Sequence, residues 1–537
     1  MPHPSLALEG VTQVLADGRI LFSDLDERFD QRPTALVGRN GVGKSVLAAI
    51  LAGRIAPTAG RCVRDGRVHY LPQQVVPSPT ASIGELAGLG APLAALARIE
   101  SGGCDPEDFE RVGERWNLRH ELQEALRAEG LAGFVPETPA TRLSGGEAMR
   151  VALAGAWLSD ADFLVLDEPG NHLDRDARAR LRTRLRAWPR GLLLVSHDRT
   201  LLGEVERIVE LSVDGLASHG GGYAAYLDSR RRQADAAQRQ LAHARAERAR
   251  QRQEAIVLHE REQRRQSRDR QQRRDANQAA ILLDRQRGRS EQSAGRRALL
   301  RQQAAAQMQQ QVREAASRVD DAAPVAMFAP VPATAARRCV ARLDAVALPL
   351  PPGDRPRLSF AIGGTQRIGV VGANGCGKST LLRLLAGAIA PASGRCEVHV
   401  PVALLDQTLS LLSPAASALD NLRAAAPRMS EADRRMRLAQ LGLDAARIVV
   451  PAGVLSGGER LKAALACVLH TAEPPRLLLL DEPDNHLDLG SKEALERMLR
   501  DFRGALLVVS HDDAFLDGLG LDTRLQAGRE GWQLTRW

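Results

Sequence analysis

The sequence predicts an α/β protein in which a long helical hairpin joins two similar domains. A glycine-rich loop, an acidic strand end and several apolar runs occur in the same order in both halves of the 537-residue chain. The apolar runs alternate with helical segments, which is typical of a parallel sheet covered by helices. The stretch between the halves is rich in Arg, Gln, Ala and Glu, and this composition favours a helix.

The repeated segments set the domain boundaries. LVGRNGVGKS, LSGGE, FLVLDEPGNHLD and LLLVSHD recur as VVGANGCGKS, LSGGE, LLLLDEPDNHLD and LLVVSHD. The lysines of the two glycine-rich loops lie 334 residues apart, so the repeat is a whole domain and not a short solenoid unit. We assign the first domain to residues 1–227, the linker to 228–335 and the second domain to 336–537. The interval before LSGGE is longer in the first domain, and we expect the extra residues within 80–130.

The positive charge of the chain is concentrated in the linker. The whole chain carries a net charge of +8, whereas residues 229–320 contain 23 arginines, no lysine and 11 acidic residues, a net +12. Such a segment favours a polyanionic partner. Residues 229–283 contain neither Pro nor Gly and predict one helix of up to ~80 Å. Glycines and serines within 284–297 interrupt it, and a second helical pattern at 297–320 completes a hairpin with a basic tip.

Composition argues against a membrane or secreted protein. No run of 18 or more apolar residues occurs, so a membrane span is not expected. The N-terminal MPHPSLALEG lacks a basic stretch followed by an apolar one, so no secretion signal is expected. The six cysteines show no metal-ligand spacing and are expected to be reduced thiols. These features favour a cytoplasmic location.

The glycine-rich loops GRNGVGKS and GANGCGKST predict two phosphate-binding sites. Glycines let backbone N–H groups close around phosphate oxygens at a helix N-terminus. Lys44 and Lys378 would neutralise the β- and γ-phosphates, and the serines that follow them would ligate Mg²⁺. The predicted nucleotide-binding residues of these loops are Gly38, Asn40, Gly41, Gly43, Lys44 and Ser45, and Gly372, Asn374, Gly375, Gly377, Lys378, Ser379 and Thr380.

An Asp-Glu pair ends an apolar strand in each half. Asp167 and Asp481 would emerge at the sheet edge beside the phosphates, where each can hold Mg²⁺ through water. Neighbouring side chains on a strand face opposite ways, so Glu168 and Glu482 can join them only where the strand ends. There each glutamate can polarise the attacking water, which is the work of a general base in phosphoryl transfer. The pairs therefore predict nucleotide hydrolysis.

LSGGE, DEP and SHD resemble the ATP-binding cassette superfamily. The resemblance implies that LSGGE of one domain closes over ATP held by the other. Ser144, Gly145 and Gly146 would then contact ATP on Lys378, and Ser456, Gly457 and Gly458 would contact ATP on Lys44. It also implies that His197 and His511 sense the γ-phosphate, and that Gln73 and Gln407 contact Mg²⁺ or the attacking water, with Gln74 as an alternative to Gln73. The implied Mg²⁺ ligands are Ser45, Gln73, Asp167, Ser379, Gln407 and Asp481.

Two fused cassettes, the NHLD segment and the charged helical spacer resemble the ABC-F proteins. This resemblance implies a monomer with two intramolecular ATP sites that binds the ribosome in its ATP-closed form and leaves after hydrolysis. The spacer would lie near the peptidyl-tRNA. Gly170 and Asp484 stand where the family usually has Thr. No clear aromatic residue for adenine stacking precedes either phosphate loop, so selection of ATP over GTP rests on the resemblance alone.

The linker tip is the predicted nucleic-acid contact. Arginine presents a planar, bidentate fork to phosphate, and the tip residues proposed to meet rRNA or tRNA are Arg285, Arg287, Arg289, Arg296 and Arg297. The alternative is a solvated connector. Two other functions stay open: the ATPase subunit of a multi-chain transporter, and a DNA-remodelling ATPase. Sequence alone does not separate a housekeeping translation factor from an antibiotic-protection factor.

Overall fold

The structure is a computed structural model. It describes residues 4–171, 173–275, 299, 302–303, 306–315, 339–349, 357–471, 473–485, 487–528 and 531–537. The chain divides into two compact units, one made of Met1–Tyr226 with Val325–Trp537 and the other of Leu227–Pro324.

In its described residues, the first half contains nine strands and a set of helices that alternate along the chain. The strands are β1 (Ser5–Val14), β2 (Ile20–Phe29), β3 (Thr34–Val37), β4 (Ala59–Asp65), β5 (Val68–Leu71), β6 (Phe163–Asp167), β7 (Gly191–Val195), β8 (Arg207–Ser212) and β9 (Gly215–Gly220). The helices are α1 (Lys44–Leu51), α2 (Ile83–Leu86), α3 (Gly90–Glu100), α4 (Pro106–Val112), α5 (Leu118–Ala128), α6 (Gly145–Leu158), α7 (Arg175–Ala187) and α8 (Arg199–Leu202), with a 3₁₀ turn at Ala140–Arg142.

The strands form two sheets whose order positions the motifs. A six-stranded sheet has the order β5-β6-β7-β3-β8-β9 and is parallel except for β9, while β2-β1-β4 form an antiparallel sheet. Strands β6, β7 and β3 are direct neighbours. Because the carboxyl ends of parallel strands meet at one edge, the segments after these three strands are brought together.

The second half repeats this arrangement. Its strands are β10 (Cys339–Ala347), β11 (Leu358–Gly363), β12 (Arg367–Gly372), β13 (Ser393–Val398), β14 (Val402–Leu405), β15 (Leu477–Asp481), β16 (Ala505–Val509), β17 (Thr523–Gly528) and β18 (Gly531–Arg536). Its helices are α10 (Lys378–Leu385), α11 (Ala418–Ala425), α12 (Glu431–Gln440), α13 (Gly457–Leu469), α14 (Leu489–Asp501) and α15 (Asp513–Gly518), with a 3₁₀ turn at Ala452–Val454. The strand orders β14-β15-β16-β12-β17-β18 and β11-β10-β13 match the first half. The prediction of two equivalent α/β domains is confirmed.

The central strands are buried along their whole length. Every residue of FLVLD in β6, GLLLV in β7, LLLLD in β15 and ALLVV in β16 is buried. Parallel strands covered by helices on both faces read as continuous apolar runs, which explains why these segments lack an alternating pattern. Leu and Val supply this core, as the low aromatic content requires.

Helices α3 and α4 occupy the stretch where the extra residues were expected. In both halves a short helix begins at a serine cap: Ser82 caps α2 and Ser417 caps α11. After α2 the first half adds α3 and α4, whose residues Ala95, Leu96 and Val112 form a small buried cluster of their own. After α11 a short turn leads directly into α12. The insertion is therefore a helical pair with its own apolar contact.

The linker begins as one long helix. Helix α9 (Gly222–Asp275) has 54 residues, which at 1.5 Å per residue corresponds to about 81 Å. Gly221 immediately before the helix and Gly222 at its first position have φ values of 90° and 70°, a left-handed backbone that glycine adopts without strain. The predicted tip at 284–297, with its five arginines, lies outside the described residues. No helix in the part of the chain that the structure describes is long and apolar enough to cross a membrane.

Candidate functional site

The segments that follow β3, β6 and β7 meet at one sheet edge. The phosphate loop after β3 leads into α1, and Asp167 ends β6 beside it, accepting a hydrogen bond from the Ser45 hydroxyl. The Lys44 ammonium lies within the loop and donates to the carbonyls of Gly38 (2.9 Å) and Arg39 (3.0 Å). Lys378 makes the equivalent contacts in the second half. Each loop thus holds its lysine where phosphate oxygens would arrive.

Each glutamate after the strand end adopts an unusual backbone conformation. Glu168 has φ 47° and Glu482 has φ 50°, the left-handed region that non-glycine residues rarely occupy. Their backbone N–H groups donate to Val195 (2.8 Å) and Val509 (2.9 Å) on the neighbouring strand, which holds the bend. The left-handed residue ends the strict alternation of the strand, and Asp167 and Glu168 line the same cavity. Such strain costs about 1–3 kcal/mol and is found at functional sites.

The first site is a cavity of about 510 Å³ that both halves line. This volume is within the usual range for small-molecule sites. From the first half it receives the phosphate loop, both Gln73 and Gln74, the Asp-Glu pair and His197. From the second half Ser456 and Gly457 reach it at the start of α13, whereas Gly458 is buried in that helix and is not among the lining residues. The structure therefore brings the second LSGGE to the first phosphate loop.

A second contact crosses between the halves beside this cavity. The carboxylate of Asp488, the last residue of the second DEPxNHLD, accepts from the backbone N–H of Asn40 (3.1 Å). The same carboxylate caps α14 by accepting from the N–H of Ser491 (2.8 Å). The first phosphate loop is thus fixed to a helix N-terminus of the other half.

At the second site a hydrogen-bonded cluster surrounds Glu482. Its carboxylate accepts from the amides of Gln407 (3.2 Å) and Asn485 (2.5 Å). His511 lies 3.5 Å from the same carboxylate and 3.0 Å from the Asn374 amide oxygen. Ser144 begins α6 in a capping box with Glu147, as Ser456 does with Glu459 at α13. The approach of Ser144, Gly145 and Gly146 to Lys378 stays a prediction.

Comparison with known proteins agrees with this geometry. The family model described as ABC transporter matches residues 29–171 and 356–485. The tylosin resistance ATP-binding protein TlrC of Streptomyces fradiae is 32% identical over 552 residues, covering 95% of this chain and 95% of the relative. The probable ATP-binding protein YheS of Escherichia coli K12 is 30% identical and covers 89% and 71%. ATP-binding cassette sub-family F member 3 of Homo sapiens is 29% identical and covers 93% and 68%.

This chain belongs to the ABC-F family. It is an ATPase with two ATP-binding cassettes, as the sequence predicts. Among solved structures, an archaeal ribosome recycling factor in complex with the archaeal ribosomal stalk protein superimposes with a TM-score of 0.57. Its sequence identity is 18%, and the match covers 98% of this chain and 89% of that one. At this identity the likeness shows the fold alone.

Burial is the largest cause of the pKa shifts of Glu168, His197 and His511 in the two ATP sites. Burial raises the pKa of Glu168 to about 7, against the opposing effect of Lys44, so the carboxylate is poised as a base near neutral pH. Burial lowers the pKa of His511 to about 3 and that of His197 well below its usual value. Both imidazoles are therefore neutral at neutral pH. His511 pairs with the Asn374 amide oxygen, whereas within the described residues neither ring nitrogen of His197 has a hydrogen-bond partner.

The carboxylates at the strand ends fit a divalent cation. Burial raises the pKa of Asp167 and of Asp481, and Ser45 or Ser379 opposes the shift through a hydrogen bond. Within the described residues, Oδ1 of Asp167 is buried and has no hydrogen-bond partner. Oxygen donors from carboxylate, hydroxyl and amide groups are those that Mg²⁺ prefers. The donor set is thus suited to the metal that ATP brings.

Several site residues were not identified from the sequence. Asn485 and Asp488 belong to the NHLD segment itself. The motif therefore marked their position, but it did not indicate that they contact Glu482 and Asn40. Arg460 lines the first cavity from the second cassette. Leu15 and Leu21 line it from the first cassette, in the stretch before the phosphate loop that has no clear aromatic residue for base stacking.

Proposed function

We propose that this ABC-F ATPase closes its two cassettes over ATP and Mg²⁺, binds the ribosome in that state and leaves after hydrolysis. The observation that carries the proposal is the first cavity, which residues of both cassettes line. A site built in this way is complete only when the cassettes meet, so ATP stabilises the closed form. Hydrolysis would then release it.

Different residues of the first site bind the phosphates, accept the proton and orient the base. Lys44 and the loop amides bind the phosphates, and Ser456 with the start of α13 covers them from the other side. Glu168 accepts the proton of the attacking water, whose oxygen bonds to the γ-phosphorus as ADP leaves. His197, 3.7 Å from Glu168, orients this carboxylate, and its backbone N–H donates to it. Mg²⁺ held near Ser45, Gln73 and Asp167 would neutralise phosphate charge, and Ser379, Gln407 and Asp481 would do so at the second site.

The linker is the proposed contact with ribosomal or transfer RNA. In this proposal residues 1–227 and 336–537 are the cassettes, and 228–335 reach an RNA surface through the tip arginines. The net charge of +12 over 229–320 and the 54-residue helix α9 support this role. The functional unit would be a monomer, since one chain supplies both halves of the first cavity. Action on the ribosome would place it in the cytoplasm.

We propose a role in translation or in protection against ribosome-targeting antibiotics. The relative TlrC is a tylosin resistance ATP-binding protein, and it aligns over 95% of both chains. A bacterium sensitive to tylosin that expresses this chain should show a higher minimum inhibitory concentration. A Lys44→Ala/Lys378→Ala control, which cannot hold the phosphates, should show none. Equal inhibitory concentrations for the two strains and the empty vector would exclude protection against tylosin and leave a role in translation.

Ribosome association tests the core of the proposal. A Glu168→Gln/Glu482→Gln protein keeps the site geometry and lacks both bases, so it should co-sediment with ribosomes in ATP and not in ADP. The Lys44→Ala/Lys378→Ala protein should remain in the supernatant under both conditions. If the double glutamine protein stays free of ribosomes in ATP, the proposal is wrong.

A further inference from the structure

Five charged side chains are brought together where the two cassettes meet. Arg178 and Asp198 come from the first cassette, and Asp484, Lys492 and Asp512 from the second. Within each cassette a cation meets a carboxylate: Lys492 Nζ lies 2.9 Å from Asp512, and Arg178 Nη1 lies 3.4 Å from Asp198. All five side chains are largely buried, and four of them, all but Asp512, line the first cavity. We call these five residues the interface charge cluster.

The cluster is symmetric except for one residue. In the internal repeat Arg178 corresponds to Lys492 and Asp198 to Asp512, so two cations balance two carboxylates. Asp484 corresponds to Gly170 and adds a third carboxylate, and among the described residues of the cluster the cations are Arg178 and Lys492 alone. A β-carbon at Gly170 would lie 3.1 Å from Leu201 Cδ1 and 3.8 Å from the Asp198 carboxylate, so an acidic side chain there would meet a close apolar contact and a like charge. The duplicated domains therefore differ at the point where they meet.

Asp484 is enclosed by charged groups from several elements. Lys492 of α14 and Arg178 of α7 attract its carboxylate, whereas Asp512 after β16 repels it, and Glu482 of its own loop lies close enough to interact electrostatically. The Ser510 hydroxyl donates one hydrogen bond. The side chain is 2% exposed, and among the described residues its Oδ1 has no hydrogen-bond partner.

An uncompensated buried carboxylate is costly when it is ionised. Its desolvation penalty is several kcal/mol, and such groups commonly take up a proton instead. Burial raises the pKa of Asp484, with Asp512 acting in the same direction and Lys492 and Arg178 opposing. When the cassettes separate, Arg178 and Asp198 leave with the first cassette and water can replace them. In the open form, Asp484 in contact with water would have the usual pKa of an aspartate, about 3.9.

We propose that Asp484 takes up a proton when the cassettes close, so that closure over ATP is favoured as pH falls. The inference rests on cassette closure over ATP, which is part of the proposed function, and adds a proton to it. Because the closed form holds the proton more tightly, ATP affinity rises as pH decreases toward and through the pKa of the closed form, by at most about tenfold per pH unit. The gain levels off below about pH 3.9, where the open form is protonated as well.

Calorimetric titration of the full-length chain with ATP and Mg²⁺ tests this inference. The Glu168→Gln/Glu482→Gln protein prevents hydrolysis, and buffers of different ionisation enthalpy report the number of protons taken up between pH 5 and 8. Asp484→Asn keeps the shape of the side chain without its charge, and Asp484→Gly copies Gly170. In this pH range the parent should take up more protons than either variant, the difference reaching at most one. The ATP affinity of the parent should also rise more steeply than that of either variant as pH falls.

Two outcomes would overturn the proposal. One is equal proton uptake and parallel pH dependence in the parent and both Asp484 variants. The other is an undiminished difference after Ser456→Arg is added to each protein, because that substitution obstructs closure over the first site. If only this inference is wrong, the Glu168→Gln/Glu482→Gln protein still co-sediments with ribosomes in ATP. If the proposed function is wrong, it does not. The two results are therefore distinguishable.

Discussion

Replacing Arg447 with methionine is expected to destabilise the second cassette by about 1–2 kcal/mol at neutral pH. The Arg447 guanidinium meets the Glu459 carboxylate through two bonds of 2.8 Å each. Glu459 also accepts from the N–H of Ser456 (2.8 Å), so the pair fixes the capped start of α13 that covers the first ATP site. In the repeat, Val135 occupies the position of Arg447, and the first cassette has no counterpart of this pair among its described residues.

The magnitude follows from the pKa of Glu459. The hydrogen bond from Arg447 is the largest cause, and the pKa falls from 4.5 to about 2. At about 1.4 kcal/mol per pH unit this corresponds to ~3.5 kcal/mol for all causes together. The side chains of Arg447 and Glu459 are 33% and 24% exposed, so solvent screening reduces the part due to Arg447 to about 1–2 kcal/mol.

The sign of the pH dependence is fixed by the lowered pKa. The contribution is complete above about pH 4.5, the pKa of an unfolded glutamate, and is lost as pH falls toward 2. Urea unfolding of the second cassette should show a constant difference between parent and Arg447→Met from pH 6 to 8, and a shrinking one below pH 4.5. The control Arg435→Met breaks the exposed Arg435–Glu431 pair and should cost about 0.3–0.5 kcal/mol. Equal losses for the two variants, or a difference that persists at pH 3, would refute the reasoning.

Two further predictions concern packing and the cassette interface. Gly155→Ala should lower the melting temperature although Ala favours helices, because its β-carbon would overlap the Ala87 carbonyl oxygen, at a cost of about 1–3 kcal/mol. Gly490→Ala should not, because its β-carbon would come no nearer than 4.0 Å to the Asp488 carboxylate. The Arg199 guanidinium lies 2.8 Å from the buried Glu496 carboxylate across the cassette interface. Arg199→Leu leaves that carboxylate buried without its cation, and it should weaken ATP binding by up to about 100-fold. Arg175→Leu, which breaks an exposed pair with Asp513 across the same interface, should cost under about 1 kcal/mol, and similar losses for both would contradict the role of burial.

Local signals explain what the sequence predicted of this fold. Apolar runs that end in Asp-Glu identify β6 and β15 because a fully buried parallel strand must be apolar throughout. The phosphate loops identify the starts of α1 and α10, since their glycines are needed for the loop geometry. Glu168 and Glu482 were expected to join the aspartates only where the strand ends. Their left-handed backbone ends the strand at that point, so that both carboxylates reach the same side.

Contacts between distant segments explain what the sequence did not predict. The bond from Asn40 to Asp488 joins residues 448 positions apart, and no pattern near either residue indicates it. Asp484 was noted only as a departure from the usual Thr, because its environment depends on Arg178 and Lys492 from two different helices. Motif spacing placed the extra residues of the first domain within 80–130, but their helical pairing depends on the small cluster around Leu96.

The central claim is that the second LSGGE completes the first ATP site. It can be tested by measuring ATP affinity in a Glu168→Gln/Lys378→Ala background, in which only the first site binds ATP and it does not hydrolyse it. Ser456→Arg, which places a bulky side chain at the cavity wall, should weaken binding by about tenfold or more, a loss of at least ~1.4 kcal/mol. The matched Ser144→Arg should leave the affinity within about twofold, a change of under ~0.5 kcal/mol. If Ser144→Arg weakens binding and Ser456→Arg does not, the two cassettes do not share the first site in the way described.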